Sequence, residues 1–356
     1  MVDTTTALYI SDANFEQLLD VFAKQGNVFV PRSVEDRTGE VHYSYERRGE
    51  GEAFEYYGYR PTQPLKNFLF RGRVKVAEYP APSDAATGLS TEKVFVVGAA
   101  ACDVVSLKSL DVIFLQDEYT DIFYRARRDN TIIISEDCTE PRETCFCTLA
   151  GHAPYPKEGF DLNLSRIEGG YIVETGSERG RSIVRDNEGF FAEPSDQFLQ
   201  LRSQARKETE RRVRELNGAY ELTSGRKDIL GAQRESDDWY EHVRTCIECG
   251  ACLFACPTCH CFLLSDQVVS ENKFERVKKW DACSYSGYSR MSGGGSPRLG
   301  LMERFRHRYL HKLEYYPENF GFEACTGCGR CIEGCMGKID MRKVLKALDS
   351  IAAGVQ

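Results

Sequence analysis

Along residues 12–24 (DANFEQLLDVFAK) apolar positions recur at helical spacing. Phe15, Leu18, Leu19 and Phe22 share one face, with Asp12 or Asn14 as N-cap. Asn27–Val30 reads as a strand stopped by Pro31, which cannot donate to a sheet ladder. Residues 32–64 are polar, aromatic and glycine-containing, a pattern of strands and loops. Glu92–Val97 is a buried strand, Gly98–Cys102 turns the chain, and Asp103–Leu110 resumes as a helix. Thr131–Ser135 (TIIIS) is a second buried strand, so this β–turn–α–β run predicts an α/β core. Asp161–Leu164, Tyr171–Thr175 and Arg181–Val184 read as a small antiparallel meander.

The pattern changes at residue 196. Residues 196–216 are helical and heavily charged, the mark of a solvated helix between domains. Residues 217–236 carry turn signals at Asn217-Gly218 and Ser224-Gly225 and read as a linker. Helical patterns return at Leu301–Tyr315 and Ile339–Leu348. The expected fold class is therefore α+β. An N-terminal α/β-type domain spans 1–195, a charged helix and linker 196–235, and a mainly helical, ferredoxin-like domain 236–356.

Composition narrows the function. The chain has 356 residues, 42% of them hydrophobic, enough for about two domains with real cores. Met1–Asp20 shows neither a basic n-region nor an apolar h-region, and the longest apolar run, Val94–Cys102, is too short to cross a bilayer. The expectation is a cytoplasmic protein with no membrane partner. A net charge of −8 argues against nucleic acid. Reducing conditions keep thiols free, which favours metal sites over disulfides for the 15 cysteines.

Eight of those cysteines form two near-identical quartets, Cys246, Cys249, Cys252, Cys256 and Cys325, Cys328, Cys331, Cys335, each C-x2-C-x2-C-x3-C. Three thiolates of one such loop grip three corners of an iron–sulfur cube, and the fourth leaves on the next helix to reach the other cube. The spacing predicts two [4Fe–4S] clusters with crossed ligation: Cys246, Cys249, Cys252 with Cys335, and Cys325, Cys328, Cys331 with Cys256. Structural zinc pairs two knuckles across a longer loop, and these quartets are too compressed for it. Sixty-eight residues separate Cys256 from Cys325, so the quartets read as an internal repeat opened by an insertion.

Seven cysteines remain. Cys102 follows the first buried strand and Cys138 the second; Cys145 and Cys147 follow in a loop. If those strands are parallel neighbours, the four thiols converge at one sheet edge, as a third metal site or as core thiols. Cys259, Cys261 and Cys283 complete no four-ligand set. They read as packing beside the clusters, as alternative ligands, or as part of a further site with His260 or Asp281. His42, His152 and His242 read as surface or packing residues. His307 and His311 lie on a basic segment with Arg304, Arg306, Arg308 and Lys312. That segment is a solvated face, a charge offset for anionic clusters, or a docking surface for an acidic partner. Ser292–Ser296 is a flexible loop or a source of N–H groups for cluster sulfurs. No dinucleotide fingerprint, Walker motif or catalytic triad is visible.

The chain resembles the iron–sulfur beta subunit of soluble nickel–iron hydrogenases (sulfhydrogenases) and the related iron–sulfur subunit of anaerobic sulfite reductase. The residues that carry the resemblance run nearly the length of the chain. They are Gly98–Asp103, Leu110-Asp111, Tyr124–Arg128, Cys138 with Thr144–Cys147, then Cys246–Cys252, Cys256–Phe262, Trp280–Cys283 and Cys325–Cys331. Met336 departs from the family, which usually has proline after the fourth cysteine. The resemblance implies an electron-transfer subunit between a flavoprotein subunit that handles NAD(P)H and a catalytic oxidoreductase subunit. It also favours a third [4Fe–4S] cluster on Cys102, Cys138, Cys145 and Cys147. The alternatives are a thiol–disulfide reductase acting on its own, and a protein in which clusters are structural.

Overall fold

The structure, a computed structural model, describes residues 7–35, 37–80, 89, 91–352 and 354. Met1–Thr6, part of the stretch read as free of a leader, lies outside them. The chain forms two compact units. The first holds the described residues through Leu69 and from Leu89 to Glu215; the second holds the rest.

The first unit is built on an eight-stranded sheet. Its strands are β1 (Ala7–Ser11), β2 (Asn27–Glu35), β3 (Val41–Arg47), β5 (Val94–Ala100), β6 (Thr131–Glu136), β7 (Leu162–Ile167), β8 (Gly170–Thr175) and β9 (Phe191–Ala192). The order is β3-β2-β5-β6-β7-β8-β1-β9. β2, β5, β6 and β7 run parallel, and the flanking pairs are antiparallel. Helix α1 (Asp12–Ala23) is capped by Ser11, whose side chain accepts from the Asn14 N–H. Its Phe15, Leu18, Leu19 and Phe22 pack on alternate residues of the central strands, among them Phe95, Val97, Ile132 and Ile134. Phe22 stacks on Phe95 at 4.5 Å between ring centroids. Burying each such side chain contributes about 2 kcal/mol. The intervening Val96 and Ile133 are equally buried, and helix α2 (Ala101–Phe114) packs against β5 and β6. Both faces of the parallel strands are therefore covered, which is why they read as unbroken apolar runs.

Two expectations fail here for local reasons. Pro31 does not end its strand: β2 continues to Glu35, pairing Pro31 with Tyr45 of β3. Only the β5 side of the ladder stops, at Phe29, so the missing N–H interrupts no pairing on that side. Arg181–Val184 is not a strand. It lies in the helix Glu178–Asp186, where the Ser177 side chain accepts from Gly180 N–H and Arg181 pairs with Glu178. A capping serine and an i,i+3 ion pair outweigh the β-branched Ile183-Val184 pair.

The second unit combines short helices with a three-stranded antiparallel sheet that the hydrophobic pattern does not announce. The strands are β4 (Arg73–Tyr79), β10 (Phe262–Ser270) and β11 (Lys273–Trp280), ordered β10-β11-β4. Helix α4 (Leu301–Leu310) continues through a π-turn, His311–Tyr315, into Tyr316–Phe320. Residues 217–236 include a helix, Arg226–Ala232, and the chain closes with α5 (Met341–Ala352). Among the described residues no helix is long and apolar enough to cross a membrane.

A buried ionic network locks the charged helix α3 (Asp196–Asn217) to the first unit's sheet. Arg206 on α3 bonds both carboxylate oxygens of Asp137, at 2.6 and 3.1 Å, and also pairs with Glu174. Asp137 in turn accepts from Asn163 at 2.9 Å and Ser165 at 2.7 Å. The helix read as solvated is anchored along this face. Removing one partner of such a set strands the other charges. Arg206→Met is expected to destabilise the first unit by about 3 kcal/mol, read as a lower urea midpoint with an unchanged slope. An unaltered midpoint would show that the network contributes nothing.

Candidate iron–sulfur centres

The two quartets fold as copies of one loop. In the first, Glu248 and Gly250 take left-handed backbone angles, φ 56° and 74°. In the second, Gly327 and Gly329 sit at φ 65° and 75°. Each loop then enters a four-residue helix, Ala251–Phe254 or Arg330–Glu333. The same bond recurs in both: the sulfur of the first cysteine accepts from the backbone N–H two residues on, Glu248 to Cys246 and Gly327 to Cys325. Successive N–H groups turned inward in this way form a cradle for an anion, the geometry of many Fe–S sites. Glu248 holds an angle that favours glycine, and Arg304 bonds its carboxylate at 2.9 Å.

The fourth cysteine of each run sits with the other run. Past Cys335, the Gly337 carbonyl accepts from Thr245 Oγ1 at 2.7 Å, just before Cys246. Past Cys256, Thr258 Oγ1 donates to the Ala324 carbonyl at 2.8 Å, just before Cys325. These bonds join equivalent positions of the two copies. A Cβ at Gly337 would stand 2.3 Å from the Thr245 carbonyl oxygen, so only glycine permits that approach. Cys246 accordingly feels Cys252 and Cys335, while Cys325 and Cys331 both feel Cys256 and Cys328. Cys335 accepts from Ile339 N–H at 3.3 Å. Met336 is exposed, and these bonds hold the turn that proline would otherwise stiffen.

The surroundings suit a buried anion. A cleft lined by Cys246, Cys249, Cys252 and Cys335 is walled by Arg308, Ser284 and Cys331. Arg308 is buried facing Cys252 and Cys331, and among the described residues its Nε and the Ser284 Oγ have no hydrogen-bond partner. Donors left empty in such a place fit an acceptor that fills the cleft. Beside Cys256, the Lys312 ammonium lies 3.4 Å from its sulfur, 2.7 Å from Thr258 Oγ1 and 3.0 Å from the Ala324 carbonyl. Burial works against its charge, but Cys256, Cys259 and Cys325 outweigh it, so the ammonium titrates above the ordinary lysine range. Among the described residues no three His, Cys, Asp or Glu side chains close tightly enough around one metal ion. A cubane asks for the wider spacing, since each thiolate binds a different iron.

The docking reading of the basic segment does not survive. Arg304, Arg308 and Lys312 are buried, and Arg308 and Lys312 face the cysteines. Burial lowers His307 to about 4 and, with His260 and Lys312, His311 to about 3, so both are neutral. The segment offsets charge from inside. The loop Ser292–Ser296 is an exposed turn whose Gly294 N–H is bonded to Met291 O. His42 and His152 are partly buried, and burial lowers His242.

In the first unit, β5 and β6 are parallel neighbours that end together, Ala100 beside Glu136. Cys102 and Cys138 each lie two residues beyond. Burial pushes the Cys138 thiol well up, and Cys145 and Cys147 push it further. Cys147 rises to about 12, first through burial and then through Cys145. The structure thus groups Cys138, Cys145 and Cys147, and brings Cys102 to the same edge on the first turn of α2.

Known proteins carry the same loops. Residues 245–339 match the 4Fe-4S dicluster domain family. The chain is 32% identical over 288 residues to sulfhydrogenase 2 subunit beta of Pyrococcus furiosus, covering 80% of this chain and 83% of that protein. The chain belongs to the sulfhydrogenase beta-subunit family. It is thus an iron–sulfur protein of the [4Fe–4S] class, with the fold class α+β. For this family member the environment of Cys256 makes a direct forecast. Lys312→Met removes the cation at its sulfur and, if Cys256 ligates a cluster, is expected to lower that cluster's potential by about 60 mV, tenfold for one electron. Lys312→Arg should restore most of it. Equal potentials in a redox titration of all three proteins would mean that Lys312 does not act on the cluster.

Proposed function

We propose that this chain is the iron–sulfur relay subunit of a cytoplasmic oxidoreductase complex. It passes single electrons from a flavoprotein subunit that handles NAD(P)H to the complex's catalytic subunit, or back; the catalytic subunit is a hydrogenase, sulfite reductase or similar. Two [4Fe–4S] clusters with crossed ligation would occupy the second unit, and a third would sit on Cys102, Cys138, Cys145 and Cys147. Bound there, the clusters supply one-electron chemistry, and the chain's own residues set its conditions. The inward N–H groups and the buried Arg308 and Lys312 stabilise the extra negative charge of reduction. Burial of Cys256 and Cys328 keeps water from the sulfur.

One observation supports the relay most. Arg308 faces Cys252 of one set and Cys331 of the other, and Cys331 lines the cleft that holds the first set. Two centres that share a wall exchange electrons without moving parts. The relative is named as one subunit of a larger protein, which agrees with a chain that works beside others. NAD(P)H surrenders a hydride, two electrons together, whereas a cube accepts one, so a flavin must divide the pair.

Two tests address this reading. The first concerns the ligands. Cys335→Ser with Cys246→Ser should cost one cube, about four irons per chain; Cys335→Ser with Cys325→Ser should cost two, about eight. The reverse pattern would put each run on a single cube. The second concerns the relay. The isolated, anaerobically reconstituted chain should be reduced by dithionite but should not couple NADH or NADPH oxidation to viologen until a flavoprotein subunit is supplied. Robust turnover by the chain alone would overturn the relay.

A further inference from the structure

Three thiols of the second unit lie outside both quartets, and the fold sorts them. Cys259 bonds to Cys256, a candidate cluster ligand. Cys261 packs against the buried cluster that holds Cys283, and each thiol perturbs the other. The hairpin makes this pair. Cys261 immediately precedes β10 and Cys283 follows β11 by three residues, while the last rung pairs Phe262 with Trp280. The ladder then runs one step beyond the strands, where Asp281 N–H donates to the Cys261 carbonyl at 3.0 Å. Asp281 is fixed in turn by a bond from Ala282 N–H to its own carboxylate at 2.8 Å.

The two sulfurs are not equivalent. Cys283 is 5% exposed, packed with Leu253 and Ala282. Cys261 is only partly buried. The Cys283 thiol, the Cys283 backbone N–H and the Tyr288 hydroxyl lie beside its sulfur and hold its titration below the ordinary thiol range. Donors gathered on one sulfur favour its thiolate, the form that attacks disulfides. Its neighbour, shielded and already in contact, is placed to finish the exchange. A rigid ladder holding two sulfurs in contact is also what a disulfide requires of its backbone.

We propose that Cys261 and Cys283 form a redox-active dithiol that reacts with low-molecular-weight disulfides, Cys261 attacking and Cys283 resolving. The Cys261 thiolate attacks one sulfur of the small disulfide; its S–S bond breaks and a mixed disulfide forms, releasing one small thiolate, which takes a proton from water. The Cys283 thiol loses its proton to the departing sulfur and displaces it, forming the Cys261–Cys283 bond and releasing the second thiol. Two protein thiols are oxidised and one disulfide is reduced to two thiols. Reopening the bond takes two electrons and two protons. Supply of those electrons by the relay rests on the proposed function; the exchange itself does not.

The probe is oxidised glutathione. Anaerobic reconstituted protein is equilibrated with glutathione buffers of graded ratio, quenched with acid, alkylated and mapped by mass spectrometry, with iron measured in parallel. The expected result is a peptide linked through Cys261 and Cys283, formed reversibly with iron content unchanged. Cys283→Ser should trap a glutathione adduct on Cys261, and Cys261→Ser should leave Cys283 without one. Both cysteines alkylated at every ratio, or an adduct confined to Cys259, would overturn the proposal. So would loss of iron in step with oxidation, which would mark the pair as cluster ligands. Failure of the viologen assay with the linked peptide still forming would remove the relay and leave the dithiol.

Discussion

The second unit is organised around the cost of burying negative charge. A cube ligated by four thiolates is an anion, and an anion in a low-dielectric interior is stable only if dipoles and cations meet it. The chain answers twice. The left-handed pairs Glu248/Gly250 and Gly327/Gly329 turn backbone N–H groups onto the sulfurs. Arg308 and Lys312 then bring full charges from a helix that belongs to neither quartet. The π-turn matters here. An i to i+5 step rotates the side chains that follow it, and Lys312 lies within that turn, against Cys256.

The insertion between the quartets therefore has a purpose that its sequence hides. It could pass for a spacer, since compact two-cluster domains do without it. In the structure it contributes the hairpin β10–β11 and the cationic helix α4. Thr258 shows how tightly the parts depend on one another. Its hydroxyl donates to Ala324, contacts Cys256 and receives the Lys312 ammonium. The backbone crossover, the ligand and the counter-charge share one oxygen.

What the sequence disclosed follows from how local each signal is. Cysteine spacing is local, so both quartets and their loops were legible residue by residue. The strands Glu92–Val97 and Thr131–Ser135 were legible because burial on both faces leaves unbroken apolar runs. The hairpin was not: β10 exposes Leu263, Leu264, Val268 and Val269, so its apolar residues do not alternate with polar ones as a half-buried strand would. The basic segment was ambiguous for a related reason. Arginine and lysine normally report a wet surface, and only the sulfurs lying far away in sequence reveal that Arg308 and Lys312 point inward. Cys261 and Cys283 were visible as residues, but their pairing needed the register of a hairpin that the pattern did not show.

The two units offer their cysteines opposite settings. Around Cys256, Cys325 and Cys331 the counter-charges are Lys312 and Arg308. Around Cys138 the neighbours are Glu136 and Asp137. Arg206 already neutralises Asp137, and both Glu136 oxygens are buried without a hydrogen-bond partner among the described residues. Burial pushes that carboxyl well above its ordinary range, with Asp137 adding to the effect, so Glu136 is neutral there and supplies no counter-charge. Reduction adds an electron, and a site with cations accepts it more readily than one whose nearest ionisable groups supply no net positive charge. A cluster on the first-unit cysteines would then sit at the lower potential, and those in the second unit at the higher. A gradient of that sign would be set by side chains that touch the sulfurs or stand next to them, and by nothing in the clusters themselves.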